Sequence, residues 1–129
     1  MIDPRAVIAV GIGAAIGGIL RYVVGQVFLQ RFGPGFPYGT LFINVTGSFL
    51  IGIIAELAAT RAMGITPLMR MFAATGVLGG YTTFSTFSLD GVTLVEQGWQ
   101  TPSLYVTLSV ALGLIGAFFG SAFVRLAIR

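Results

Sequence analysis

Cysteine, histidine and lysine are all missing from this chain. Without cysteine there is no disulfide scaffold and no thiol nucleophile; without histidine there is no imidazole to move protons near neutral pH. Together the two absences exclude Cys/His metal sites. The lack of lysine removes Schiff-base chemistry and the phosphate grip of a P-loop. Charge of either sign is scarce, at 9% of residues, against about 25% in an average soluble domain. The acids are Asp3, Glu56, Asp90 and Glu96. They are separated in sequence, so a paired-carboxylate hydrolase is not expected. With no nucleophile–base pair either, no enzyme is expected.

What is present is apolar: 56% of the 129 residues. A water-facing surface cannot be built from this mixture, which directs the reading to a membrane. All seven cations are arginine, and the formal net charge is +3. A nucleic-acid partner would require a basic face, but these arginines are scattered and read as charges flanking membrane boundaries.

A helix crossing the hydrocarbon layer needs about 20 mostly apolar residues. Four such segments fit, at about 5–30, 38–60, 67–96 and 103–128, and they make residues 1–129 a single all-α transmembrane domain. Turn chemistry separates them: Gly33-Pro34-Gly35 with Pro37, Met63-Gly64 through Pro67, and Gly98 through Pro102. Short loops make sequential helices antiparallel neighbours. The first segment runs on past Arg21 and three more follow, so it is read as a span rather than a cleaved signal peptide. Four spans put both termini on one side, with Arg5, Arg61, Arg70, Arg125 and Arg129, against Arg31 on the other; this bias predicts both termini in the cytoplasm.

Four helices enclose little space, so a transport pathway would be built by an oligomer. Gly13/Gly17 and Gly116/Gly120, each pair four apart, are the small-residue spacing that lets helix backbones approach, and they are read as support for a dimer or higher assembly. The run Gly11 to Gly17 superficially resembles a dinucleotide fingerprint, but it has one residue too many and no strand before it. Helix packing is the reading kept. The sequon Asn44-Val45-Thr46 lies mid-span and is discarded as a glycosylation site.

Polar groups inside a membrane need a reason. In the second span Thr40, Asn44 and Ser48 share one helical face. Asn44 either ties helices together or turns its amide donors toward an anion; the sequence leaves both open. The third span carries Gly76, Gly79 and Gly80, then a run of hydroxyls from Tyr81 to Ser88. Gly79-Gly80 is a poor helix interior, and a break there is expected to free backbone groups such as those that form ion sites in transporters. Phe84 and Phe87, three apart, share a face, and their electropositive ring edges would stabilise a poorly hydrated anion without a fixed charge to hold it. Tyr105, Ser109 and Gly113 make a second stripe, on the fourth span. Arg21, inside the first span, either snorkels or concentrates anions at a vestibule.

The run Gly79-Gly80-Tyr81-Thr82-Thr83-Phe84-Ser85-Thr86-Phe87-Ser88 resembles the third-span signature of the Fluc (CrcB-type) fluoride channels. Gly39-Thr40-Leu41 through Asn44 is similar to that family's Gly-Thr-Leu-x-x-Asn segment, and Leu20-Arg21-Tyr22 to its Leu-Arg-aromatic element. The resemblance covers essentially the whole chain. It implies a multi-pass protein of the bacterial cell membrane, an antiparallel, dual-topology homodimer whose two pores pass fluoride passively and lower its cytoplasmic concentration. It implies that Phe84 and Phe87 line the pore with Asn44 beside them, and that Ser85, Thr86, Tyr105 and Ser109 continue a polar track. It also implies a structural sodium ion at the dimer centre, not transported, held by backbone carbonyls of Gly79 and Thr82. Two departures stand out. The family often has Glu where this chain has the shorter Asp90, and the arginine bias sits poorly with dual insertion.

Two other classes compete. A four-helix proton-coupled multidrug exporter needs a buried carboxylate, for which Glu56 is the nearest candidate. A non-transporting membrane subunit would explain the glycines and leave the Thr/Ser/Phe run unexplained.

Overall fold

Glycines in the left-handed region turn the chain at each separator: Gly33 at φ 74°, Gly64 at φ 61° and Gly98 at φ 96°. The computed structural model describes residues 1–60 and 64–128. Helix α1 (Pro4–Phe32) starts with Asp3 accepting from the Arg5 amide at 2.9 Å and proline in the first turn. Helix α2 spans Tyr38–Ala59. The third segment is composite: α3 (Pro67–Arg70), a π-helical run (Met71–Leu78) and α4 (Gly79–Tyr81) precede an interruption, then come α5 (Phe84–Leu94) and a short 3₁₀ turn (Val95–Gln97). Helix α6 spans Gln100–Ala127. No strand is present among the described residues. Three helices, α1, α2 and α6, are long and apolar enough to cross a membrane.

Large side chains form little of the interior. The buried cluster is Ile43, Leu78 and Tyr81, with Val24 and Ile54 against it. Backbone-to-backbone contact takes its place. Helix α1 packs on the π-helical run and α4, and α2 packs on α6. A Cβ at Gly13 would stand 2.6 Å from the Phe72 carbonyl, and one at Gly17 would overlap the Val77 carbonyl. Across the other seam, a Cβ at Gly120 would overlap the Phe49 carbonyl, and one at Gly116 would stand 3.1 Å from that of Val45. Both glycine pairs therefore close seams within one chain and carry no evidence for an assembly.

The interruption is also displaced from its expected place. Gly79-Gly80 is helical, with Gly79 at φ −62°. Gly80 is needed for approach instead, since a Cβ there would meet the Ala14 carbonyl. The chain opens three residues on, at Thr82 (φ −78°, ψ 162°) and Thr83 (φ −153°, ψ 120°). Thr83 can end one helix and start another because its hydroxyl accepts from the Thr86 amide at 3.2 Å, as an N-cap does.

Of the arginines used for the orientation count, Arg61 and Arg129 lie outside the described residues. Arg125 is paired with Glu56 at 2.9 Å, and the same carboxylate oxygen accepts from the Ser121 hydroxyl at 2.6 Å.

Candidate functional site

An interrupted helix leaves amides and carbonyls that cannot stay unbonded away from water. Here two other helices supply the missing partners. Asn44, from α2, accepts from the Thr83 amide at 2.9 Å and donates its Nδ2 to the Thr83 carbonyl at 3.0 Å. One side chain thus replaces both bonds the helix would have made at this residue. Arg21, from α1, donates Nη1 to the Thr82 carbonyl at 3.2 Å. The guanidinium is held at the interruption rather than stretched to a membrane surface. The Thr83 amide is turned to Asn44, and the Gly79 carbonyl loses its usual helical donor four residues on.

Beside the interruption lies an open cavity of about 470 Å³. Its wall includes Asn44, Gly79, Thr82, Phe84, Phe87 and Ser109 and, among the described residues, no charged side chain. The two rings stand 5.6 Å apart at 45°. Phe84 is 79% exposed on the single chain, so its ring closes no cavity by itself. Ser109 is buried beside the Tyr105 hydroxyl, and among the described residues its own hydroxyl makes no close hydrogen bond, although a buried hydroxyl ordinarily has one. A second cavity, of about 360 Å³, is walled by Arg21, Gln26, Thr40, Thr83 and Thr86.

The expected residues thus divide. Asn44, Phe84, Phe87 and Ser109 come together on the first cavity, with the Gly79 and Thr82 backbone. Thr86 and Arg21 face the second. Ser85 contacts the Thr83 hydroxyl at 3.3 Å. Tyr105 is wholly buried, its ring 5.4 Å from Phe87, and its hydroxyl donates to Asp90 Oδ2 at 3.2 Å. Asp90 therefore serves as an anchor for Tyr105. Among the described residues no group of three or more acids gathers to hold a metal ion, so a cation here would depend on neutral carbonyl oxygens.

The sequence that builds this geometry has relatives. The family model described as CrcB-like protein, Camphor Resistance (CrcB), matches residues 8–121. The chain belongs to the CrcB-like family. A relative from Rhizobium meliloti named "Fluoride-specific ion channel FluC" is 54% identical over 120 residues, covering 92% of this chain and 95% of the relative. A relative of the same name from Roseiflexus sp. is 47% identical over 120 residues, covering 92% and 96%. One from Agrobacterium fabrum is 46% identical over 117 residues, covering 90% and 93%. The CrcB-like family is one of ion channels rather than enzymes, in keeping with the missing nucleophile–base pairs. The CrcB-like stretch contains the interruption and both cavities, and ends before Arg125.

Thr83 escaped the sequence reading as an individual residue, although it is central to this geometry. Only a weak signal was available: threonine is a favoured N-cap residue, but the Glu or Gln of a capping box is missing three residues on, where Thr86 stands. Gln26 carried no signal beyond being polar within an apolar helix.

Proposed function

We propose that this protein is a fluoride-selective, passive ion channel that lowers cytoplasmic fluoride. The observation that carries the reading is the first cavity: a paired phenylalanine wall, the buried Ser109 hydroxyl and, among the described residues, no charged side chain. A small anion leaving water needs donors, and neutral hydroxyls with ring edges supply them without binding it too tightly to leave. The relatives named as fluoride-specific channels support the choice of anion.

The working unit is a homodimer of antiparallel copies in the cell membrane, each chain crossing four times, with two pores along the interface. Support comes from the outward face of the interruption, where Gly79, Phe84, Ser85 and Thr86 are exposed on one chain and await a second wall. The Gly79 and Thr82 carbonyls would hold a structural, untransported sodium ion between the copies. Both residues line the first cavity; the Gly79 carbonyl has lost its helical donor, the Thr82 carbonyl, which accepts from Arg21 at 3.2 Å, would use its second lone pair, and two oxygens per chain become four about a two-fold axis. When bound, the ion would cross-link the two interruptions. The pairing of Arg125 with Glu56 also moderates the charge bias that stands against dual insertion. The exporter reading loses its carboxylate, since Glu56 is engaged by Arg125 and Ser121 and lines neither cavity.

Purified protein in liposomes loaded with fluoride or with chloride, followed by ion-specific electrodes, tests the function. Fluoride efflux far above that of empty liposomes, with chloride retained, is expected; fluoride retention ends the proposal. Single cysteines near each terminus, labelled from one side, test the assembly. Partial labelling from either side is expected, and labelling from one side alone refutes dual insertion.

A further inference from the structure

The two cavities meet at one side chain. Thr83 is the one described residue common to both walls, and it is 7% exposed. Its backbone is pinned on both sides by Asn44, so only its side chain is free to turn. In the structure the Thr83 hydroxyl donates to Thr86 Oγ1 at 3.0 Å and accepts from the Thr86 amide at 3.2 Å. The Thr86 hydroxyl receives that proton and keeps its own to give, and Thr86 lines the second cavity. That cavity also carries the guanidinium of Arg21. On the other side of Thr83, the Ser109 hydroxyl is buried in the wall of the first cavity beside the Tyr105 hydroxyl and makes no close hydrogen bond among the described residues. Donors therefore lie on both sides of one buried threonine.

Resting on the channel reading above, we propose that Thr83 is the partition between the two cavities, and that the anion passes from one to the other by taking the place of its hydroxyl. As the Thr83 side chain turns, the Thr86 amide loses its cap and gives its hydrogen bond to the anion. The turned Thr83 hydroxyl and the Thr86 hydroxyl donate to the same anion. Helix α5 opens at this point, so its first free amides face the passing charge. No bond is made or broken, and each donor exchanges one acceptor for another. The second cavity is the receiving side because it holds Arg21. The adjoining space of about 250 Å³, which shares Gly25 and Thr40 with it, carries the Asp90 carboxylate and would repel an anion.

A cap and a partition answer differently to charge. Aspartate and asparagine are both N-caps at least as good as threonine. If Thr83 only caps α5, Thr83→Asp and Thr83→Asn pass fluoride equally in liposomes. If it is the partition, Thr83→Asn passes fluoride at least tenfold faster than Thr83→Asp, both unfolding in detergent at the wild-type temperature; Thr83→Ser stays within twofold of wild type. The near-isosteric Gln26→Glu tests the route without touching the interruption. It is expected to slow fluoride at least tenfold, and the loss is expected to persist at high ionic strength, where a charge away from the path is screened. Equal rates for Thr83→Asp and Thr83→Asn, or a Gln26→Glu channel at wild-type rate, overturns the partition and leaves the channel standing. A wild-type protein that passes no fluoride overturns both.

Discussion

Two parts of the molecule meet the same demand in opposite ways. Along the seams of α1 with the π-helical run and α4 and of α2 with α6, the helices are continuous, and glycine brings their backbones into contact. At Thr82–Thr83 the helix gives up its bonds, and side chains from α1 and α2 replace them. The seams leave no space for a solute. The interruption has cavities on both sides. In a medium without water the first solution seals, and the second opens a place where most polar groups face inward with new partners, the Gly79 carbonyl being left without its helical donor.

The sharpest way to break the contrast is to force a side chain into a seam. At Gly17 a Cβ already overlaps the Val77 carbonyl, and that neighbour is backbone, which cannot rotate away. Overpacking ordinarily costs about 1–3 kcal/mol, and Gly17→Leu adds a full side chain where one carbon does not fit. It is expected to abolish recovery of folded protein on size exclusion in detergent. Wild-type recovery would show that α1 and the third segment separate more freely than this packing allows.

The next effect is at the interruption. Asn44→Ala leaves the Thr83 amide and carbonyl without the partners they have here. A buried polar group left unpaired costs about 1–3 kcal/mol, while single bonds between membrane helices average only about 0.6 kcal/mol. A clear fall in unfolding temperature is expected, smaller than the loss from Gly17→Leu. Asn44→Asp keeps an acceptor for the amide and loses the donor, so it is expected to fall between Asn44→Ala and wild type. If Asn44→Ala melts at the wild-type temperature, the interruption is held by something other than Asn44.

Much of this contrast was legible in the chain. Spacing by three put Phe84 and Phe87 together, and it did so because α5 is a regular helix. Turn residues marked the ends of the segments because positive φ is needed there. The position of the interruption was misread because glycine answers two demands that look alike in one dimension. Low helix propensity marks Gly79-Gly80 as a break, but close approach to Ala14 is what Gly80 is for. The π-helical run had no sequence signature. Nor did the pairs Arg21–Thr82 and Asn44–Thr83, which join residues 61 and 39 apart and exist only once the helices are packed.

The phenylalanines sharpen the contrast from the functional side. Phe84→Ile and Phe87→Ile keep apolar bulk and remove the electropositive ring edge. Folding is expected to persist, because Phe84 is largely exposed on the chain and neither ring belongs to the buried cluster. Fluoride flux is expected to fall about tenfold or more, equivalent to about 1.4 kcal/mol in the barrier. Intact flux in both variants would show that the rings are packing and the hydroxyls alone carry the ion.

The smallest effect uses two glycines a half-turn apart on the same helix. A Cβ at Gly13 would stand 2.6 Å from the Phe72 carbonyl, whereas one at Gly11 would have nothing within 4 Å. Alanine is the better helix former by about 0.8–1.0 kcal/mol, and at Gly11 nothing in the chain opposes that gain. Gly11→Ala is therefore expected to raise the unfolding temperature slightly, and Gly13→Ala to lower it. The sign at Gly11 also reports on what lies outside the chain. A loss there comparable to that at Gly13 would mean that a second copy brings its backbone against this face of α1, since no atom of the described residues is near enough to cause it.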